Sequence, residues 1–142
     1  SRLGLRYLDA VLPRAGESVE QYLVGGLHGI EFNATQRYRL TESVFGTDTG
    51  PLVRTGTLVT RVHRMTAPLG FPPDMQPNGL MINPKFEVKE ARAHAVIDTD
   101  HFVEGSMPID MDILDKQVLS LHATIKSVFG ATTTDNARDA WA

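Results

Sequence analysis

The run from Ala93 to Phe129 constrains this chain more than any other stretch. It reads as a strand, AHAVIDTDHFV over Ala93–Val103, then a short polar turn, then a long amphipathic helix over 112–129. Leu114, Val118, Leu121, Ile125 and Val128 recur at steps of four, three, four and three. That is one face of a 3.6-residue period, and Ile113 and Phe129 widen it. Asp110 or Asp112 is placed to cap the N-terminus, where a carboxylate also suits the helix dipole. Gly130 is the expected stop. Such a helix, about 18 residues and roughly 27 Å long, crosses a whole small sheet. Its apolar stripe needs a partner surface, and the strands upstream supply one.

At 142 residues the chain is read as a single domain, long enough to bury a core without crosslinks. It has no cysteine, which excludes a disulfide framework, a thiolate metal site and a cysteine nucleophile, and fits a bacterial cytoplasmic protein. A net charge of −3 without a basic run argues against a nucleic-acid footprint. No 18-residue apolar run is present, so no membrane span is expected.

In chain order, Leu3–Leu12 alternates as a strand and is broken at Pro13 to Gly16. Ser18 and Gln21 form an S-x-x-Q capping pattern, and a helix is expected after it, with Val19, Tyr22, Leu23, Leu27 and Ile30 on one face. Gly25 and Gly26 weaken that helix by about 1 kcal/mol each relative to Ala. Thr35–Phe45 is expected as a second strand with Tyr38, Leu40 and Val44 on one face. A turn follows over Gly46–Pro51, and a third strand starts at Val53 or Gly56 and ends at Met65. The short connection predicts an antiparallel hairpin. Ala67–Gly79, with four prolines and two glycines in thirteen residues, predicts a surface loop. A short strand is expected within Leu80–Lys89. Thr134 is the expected N-cap of a last short helix that folds Trp141 back onto the domain. These elements predict an α+β domain: an antiparallel sheet of 4-5 strands with the long C-terminal helix and a shorter one packed on one face.

Few residues offer chemistry. Asp98 and Asp100 share one strand face, about 6.6 Å apart along the strand. Such a pair can hold a divalent cation or divide acid and base roles. It can equally be solvent-facing, or bind backbone N–H groups and arginine side chains. His94 lies on the same face but roughly 13 Å away, too far for one coordination shell, and His101 lies on the other. A third ligand must come from elsewhere, such as His63. His122 flanks the helix stripe and reads as a packing and hydrogen-bonding residue before a catalytic one. His28-Gly29-Ile30-Glu31 lacks the second histidine of a zinc helix, and Gly25-Gly26 lacks the rest of a phosphate loop. Phe71-Pro72-Pro73 reads as loop stiffening or a partner contact.

Three passages also carry a resemblance. Arg2–Asp9 (RLGLRYLD) is similar to an "LGLRYIN"-type strand, with Asp9 where Asn is usual. Ala95–Phe102 (AVIDTDHF) is similar to an "LDIDxF"-type strand. Leu119–Phe129 with Thr133–Trp141 is similar to an "LHxxIxxxFxxxITDxARxxF" tail. In this order they resemble the C-terminal half of a sporadically distributed family of uncharacterised prokaryotic proteins. The resemblance implies that a further N-terminal portion precedes Ser1, and it transfers no catalytic residue. The expected function is therefore a non-enzymatic binding or protein-interaction domain without a cofactor. Its partner would be a small ligand, another protein, the N-terminal remainder of its own chain, or a second copy joined at a sheet edge. The alternative is a metal-assisted hydrolase using Asp98 and Asp100 with one distant histidine.

Overall fold

Alternating apolar residues and a stripe of 3.6 periodicity produce a two-layer α+β fold. The structure, a computed structural model, describes residues 1–48, 50–51, 53, 55–70, 89–107 and 110–142. Four strands are formed: β1 (Arg2–Val11), β2 (Tyr38–Asp48), β3 (Thr55–Ala67) and β4 (Arg92–Glu104). Two helices follow, α1 (Met111–Thr132) and α2 (Asp135–Trp141). The sheet is antiparallel in the order β1-β4-β3-β2, so β1 and β2 are its edges. The expected strand within residues 80–88 and the segment Phe71-Pro72-Pro73 lie outside the described residues. No helix among the described residues is long and apolar enough to cross a membrane.

The register divides the side chains between two faces. His101 of β4 contacts the Leu121 carbonyl of α1, and Tyr7 of β1 contacts His122 of α1, so odd-numbered residues of these strands face the helices. This helix-covered face buries Val11, Ala95, Ile97 and Val103, with Leu58 and Val62 from β3. At one end they pack with Val19, Tyr22, Leu23 and Ala137, flanked by Phe129 and Ala140. The even-numbered face of β4, with Asp98 and Asp100, points away from the helices.

α1 is capped as its sequence predicts: the Asp110 carboxylate accepts from the N–H groups of Asp112 (3.0 Å) and Ile113 (3.3 Å). Its most buried positions are Gln117, Leu121 and Ile125, so the stripe centre is rotated slightly from the apolar maximum. Gln117 is tolerated there because its Oε1 accepts the Val53 N–H at 3.0 Å. The helix does not stop at Gly130. It runs on to Thr132, where the hydroxyls of Thr132 and Thr133 donate to the Phe129 carbonyl at 2.9 and 2.8 Å and satisfy the last turn. Thr133 is extended and bridges antiparallel to Leu23. Thr134 then caps α2 through the Ala137 N–H, and Trp141 turns back against Tyr22 and Phe129.

Two expectations are corrected. In place of one helix after Ser18 there are two single 3-10 turns, Val19–Gln21 and Gly25–Leu27. Gln21 Oε1 does accept the Ser18 N–H at 2.7 Å. Helix propagation then fails at Val24, which is extended and gives its N–H to Thr132 of α1, immediately before the two glycines that disfavour helix. Ile30, expected on the buried face, is 83% exposed. Second, β2 begins and ends three residues later than expected, because residues 46–48 pair with 55–57 of β3 in place of turning. The anticipated face of Tyr38, Leu40 and Val44 lies away from the helices and is exposed.

Candidate functional site

Charged and aromatic side chains gather at three places: the sheet face opposite the helices, the helix-sheet seam, and the corner where β1 meets the α1–α2 junction. On the face opposite the helices, antiparallel register places Arg61 directly opposite Asp98, and Glu42 opposite Arg61. Arg6, two residues before Leu8, reaches diagonally to the same carboxylate. Its Nε donates to Asp98 Oδ1 at 2.8 Å and its Nη2 to Oδ2 at 2.7 Å, a fork that matches the carboxylate plane. Arg61 Nη1 lies 3.9 Å from the same Oδ2 and its Nε donates to Glu42 at 2.6 Å. Asp98 is 1% exposed. Asp100, more open, accepts from Arg2 at 3.3 Å, and the Arg2 guanidinium rests 3.6 Å from the Phe102 ring centroid.

The two aspartates thus share a face, as their spacing requires, and both have arginine partners. Arg6 engages both carboxylate oxygens of Asp98, the atoms a metal would use. His63 is on the same face, opposite Val96, and its Nδ1 lies 2.9 Å from the Tyr38 hydroxyl. His94 gives its Nδ1 hydrogen to the Arg92 carbonyl at 2.8 Å. Among the described residues no three histidine or acidic side chains come together in a way that could hold a metal ion.

His122 is not part of this arrangement. It is exposed on α1, with Nδ1 3.1 Å from the Tyr7 hydroxyl, and the sheet separates it from Asp98 and Asp100. The histidine that does lie in the seam is His101, fully buried. Leu121 O accepts from its Nδ1 at 3.1 Å, which fixes Nε2 as the acceptor of the Thr47 hydroxyl at 2.8 Å. One ring therefore ties β4 to both α1 and β2. Arg64, whose guanidinium donates to Glu20 and to the His28 carbonyl, anchors the two 3-10 turns in the same structural way.

The third place joins residues from two of the resembling passages, Asp9 from the first and Phe129 and Trp141 from the last, which the sequence did not connect. Asp9 of β1 lines a cavity of about 200 Å³ with Ala10, Phe129 and Trp141. Burial raises its carboxyl above the ordinary value of 3.8, and no hydrogen bond or ion pair offsets this among the described residues. A wider hollow of about 620 Å³ opens at the far end of β3 and β4, near Thr57, Phe102 and Glu104.

The Asp9 environment has a pH consequence. A carboxyl that holds its proton more tightly when folded than when unfolded makes stability fall as pH rises from the ordinary carboxylate value through the raised one. Below that window both states are protonated and the effect vanishes. Asp9→Asn is therefore expected to gain melting temperature over the wild type as pH rises through the window, with a constant difference above it. Thermal melts from pH 3 to 8 check this, and a difference independent of pH would show that the carboxyl is not desolvated.

No protein-family model, curated protein or solved structure matches this chain.

Proposed function

We propose that this chain is a non-enzymatic interaction domain that works through its β2 edge, and that a second copy of the chain is its partner. The observation that carries this is a contrast in how side chains are used. The carboxylates of Asp98 and Asp100 are engaged by arginines, and His101 is spent on tying elements together. Yet Tyr38, Leu40, Val44 and Phe45 stand 46–62% exposed on an edge strand of eleven residues. Long apolar edges are templates for strand addition, and monomeric proteins avoid them.

The β2 sequence suits its own antiparallel copy. A twofold axis at Glu42 sets Leu40 against Val44 and Tyr38 against Gly46 on the face opposite the helices, each pair twice. An aromatic ring over a cross-strand glycine shields backbone that glycine leaves bare. Arg39 meets Phe45 on the other face. The two Glu42 carboxylates oppose each other at the axis, and each keeps Arg61 of its own chain as counter-charge. The passages that resemble the prokaryotic family map onto β1, β4 and the α1–α2 corner. What that resemblance shares with this chain is therefore the scaffold and not the β2 edge.

Size-exclusion chromatography with light scattering tests the reading. The wild type is expected at twice its 15.6 kDa. The double variant Leu40→Lys, Val44→Lys is expected at the monomer mass with an unchanged circular dichroism spectrum, because both positions are exposed. A monomeric wild type at high concentration would overturn the proposal.

A further inference from the structure

The corner at Asp9 brings a half-buried carboxyl, an aromatic wall and space together. Asp9 is on the helix-covered face of β1, an edge strand of the described sheet. Opposite it, Phe129 from the end of α1 and Trp141 from the end of α2 lie with ring centroids 5.7 Å apart and planes tilted by 33°. Trp141 is held from below by the fully buried Tyr22, at 6.1 Å between centroids, and stays 41% exposed. The wall is therefore preorganised by the core, and one ring of it remains open. Among the described residues, Ala10 completes the lining and is apolar.

We infer that the cleft between Asp9 and the Phe129–Trp141 wall binds a methylated ammonium group. A cation is favoured because, among the described residues, the charged side chain lining the cleft is a carboxylate that no other side chain pairs. A methylated cation is favoured over ammonium or a primary amine by the walls. Bare N–H groups would need several hydrogen-bond acceptors and would find only Asp9, whereas N-methyl groups are satisfied by aromatic faces and apolar contact. The size agrees. A cavity of about 200 Å³ equals roughly six or seven shares of liquid water. That accommodates an ammonium head group. The direction of the Asp9 shift agrees too, since a carboxyl desolvated in the empty cleft gains a counter-charge when the cleft fills. This inference does not rest on pairing through β2, because β1 and β2 are opposite edges of the sheet.

The chain has one tryptophan, and it is in the wall, so its emission reports on the cleft directly. Titrating the intact protein with tetramethylammonium chloride is expected to change Trp141 fluorescence saturably in the millimolar range. Sodium chloride at matched ionic strength is expected to leave it unchanged, and ammonium chloride to act at least about tenfold more weakly. Asp9→Asn is expected to weaken tetramethylammonium binding by about tenfold or more. Since the variant is expected to melt no lower than the wild type at neutral pH, that loss is not unfolding. Binding by the wild type should fade as the pH is lowered through the Asp9 titration. Two further arms separate the sources of the group: saturation by free choline assigns it to a small amine, and saturation by a peptide bearing trimethyllysine assigns it to a modified side chain. Equal affinity of ammonium and tetramethylammonium, unchanged binding in Asp9→Asn, or no saturable response to any of these cations would overturn the assignment.

Discussion

Arg6→Ala is expected to destabilise the domain by about 3–5 kcal/mol, the range for removing one partner of a buried ion pair. The size comes from what is left behind. Asp98 lies 1% exposed in the central strand β4, and Arg6 provides both of its short contacts, at 2.8 and 2.7 Å. Without that fork the carboxylate keeps only Arg61, whose nearest nitrogen is 3.9 Å away and whose Nε is already committed to Glu42. The methyl group of alanine cannot solvate a charge, so most of the desolvation cost of Asp98 returns. Arg6→Lys should fall between, because an ammonium restores the charge without the planar fork. The control is Arg2→Ala. Arg2 also pairs with an aspartate of β4, but its side chain is 53% exposed, and surface pairs of this kind contribute about 0–1 kcal/mol. Urea denaturation with equal m-values would measure all three. Against a total stability of about 5–15 kcal/mol for a domain of this size, the Arg6 variant would sit near the limit of folding. A loss below about 1 kcal/mol would mean that water reaches Asp98, and that carboxylate would then again be a candidate for ligands.

The ion pair also shows what could be read from the chain and what could not. Period-two spacing places Asp98 and Asp100 on one face of a strand, and this holds because it is a local property of extended backbone. Their partners lie 92 and 98 residues upstream in β1, and no local pattern names them. The choice between a metal pair and an arginine pair is a matter of strand order, with β1 beside β4. The same limit explains β2. Alternation marks Tyr38, Leu40 and Val44 as one face but is silent on which face the helices cover, and on this edge strand they cover the other. The two glycines at 25 and 26 were visible as helix-weakening, but their effect was decided by the competing partner of the Val24 N–H, which is the Thr132 carbonyl of α1. Asp9 carried no spacing signal. It reads as one polar residue in an alternating strand, and its setting exists only once α1 and α2 bring Phe129 and Trp141 over it.

Leu121→Ala tests the element that was most legible. Leu121 is fully buried at the centre of the α1 stripe, one turn before Ile125, and its side chain faces the helix-covered side of the sheet. Truncation to alanine is expected to cost about 2–5 kcal/mol, the sum of lost apolar transfer and the cavity left behind. The upper part of the range is favoured by the rigidity around the site. The Leu121 carbonyl is held by His101, which is in turn held by Thr47, so helix and strand are tied together and cannot settle easily into the void. Alanine keeps the backbone carbonyl and improves helix propensity slightly, so the loss reports on packing alone. Leu119→Ala supplies the comparison on the same helix. Leu119 is 66% exposed, and its truncation should stay within about 0.5 kcal/mol. If the two leucines cost the same, α1 is not seated on the sheet through this face. A loss at Leu121 below about 0.5 kcal/mol would say so outright, and the wall that Phe129 contributes beside Asp9 would lose its support along with it.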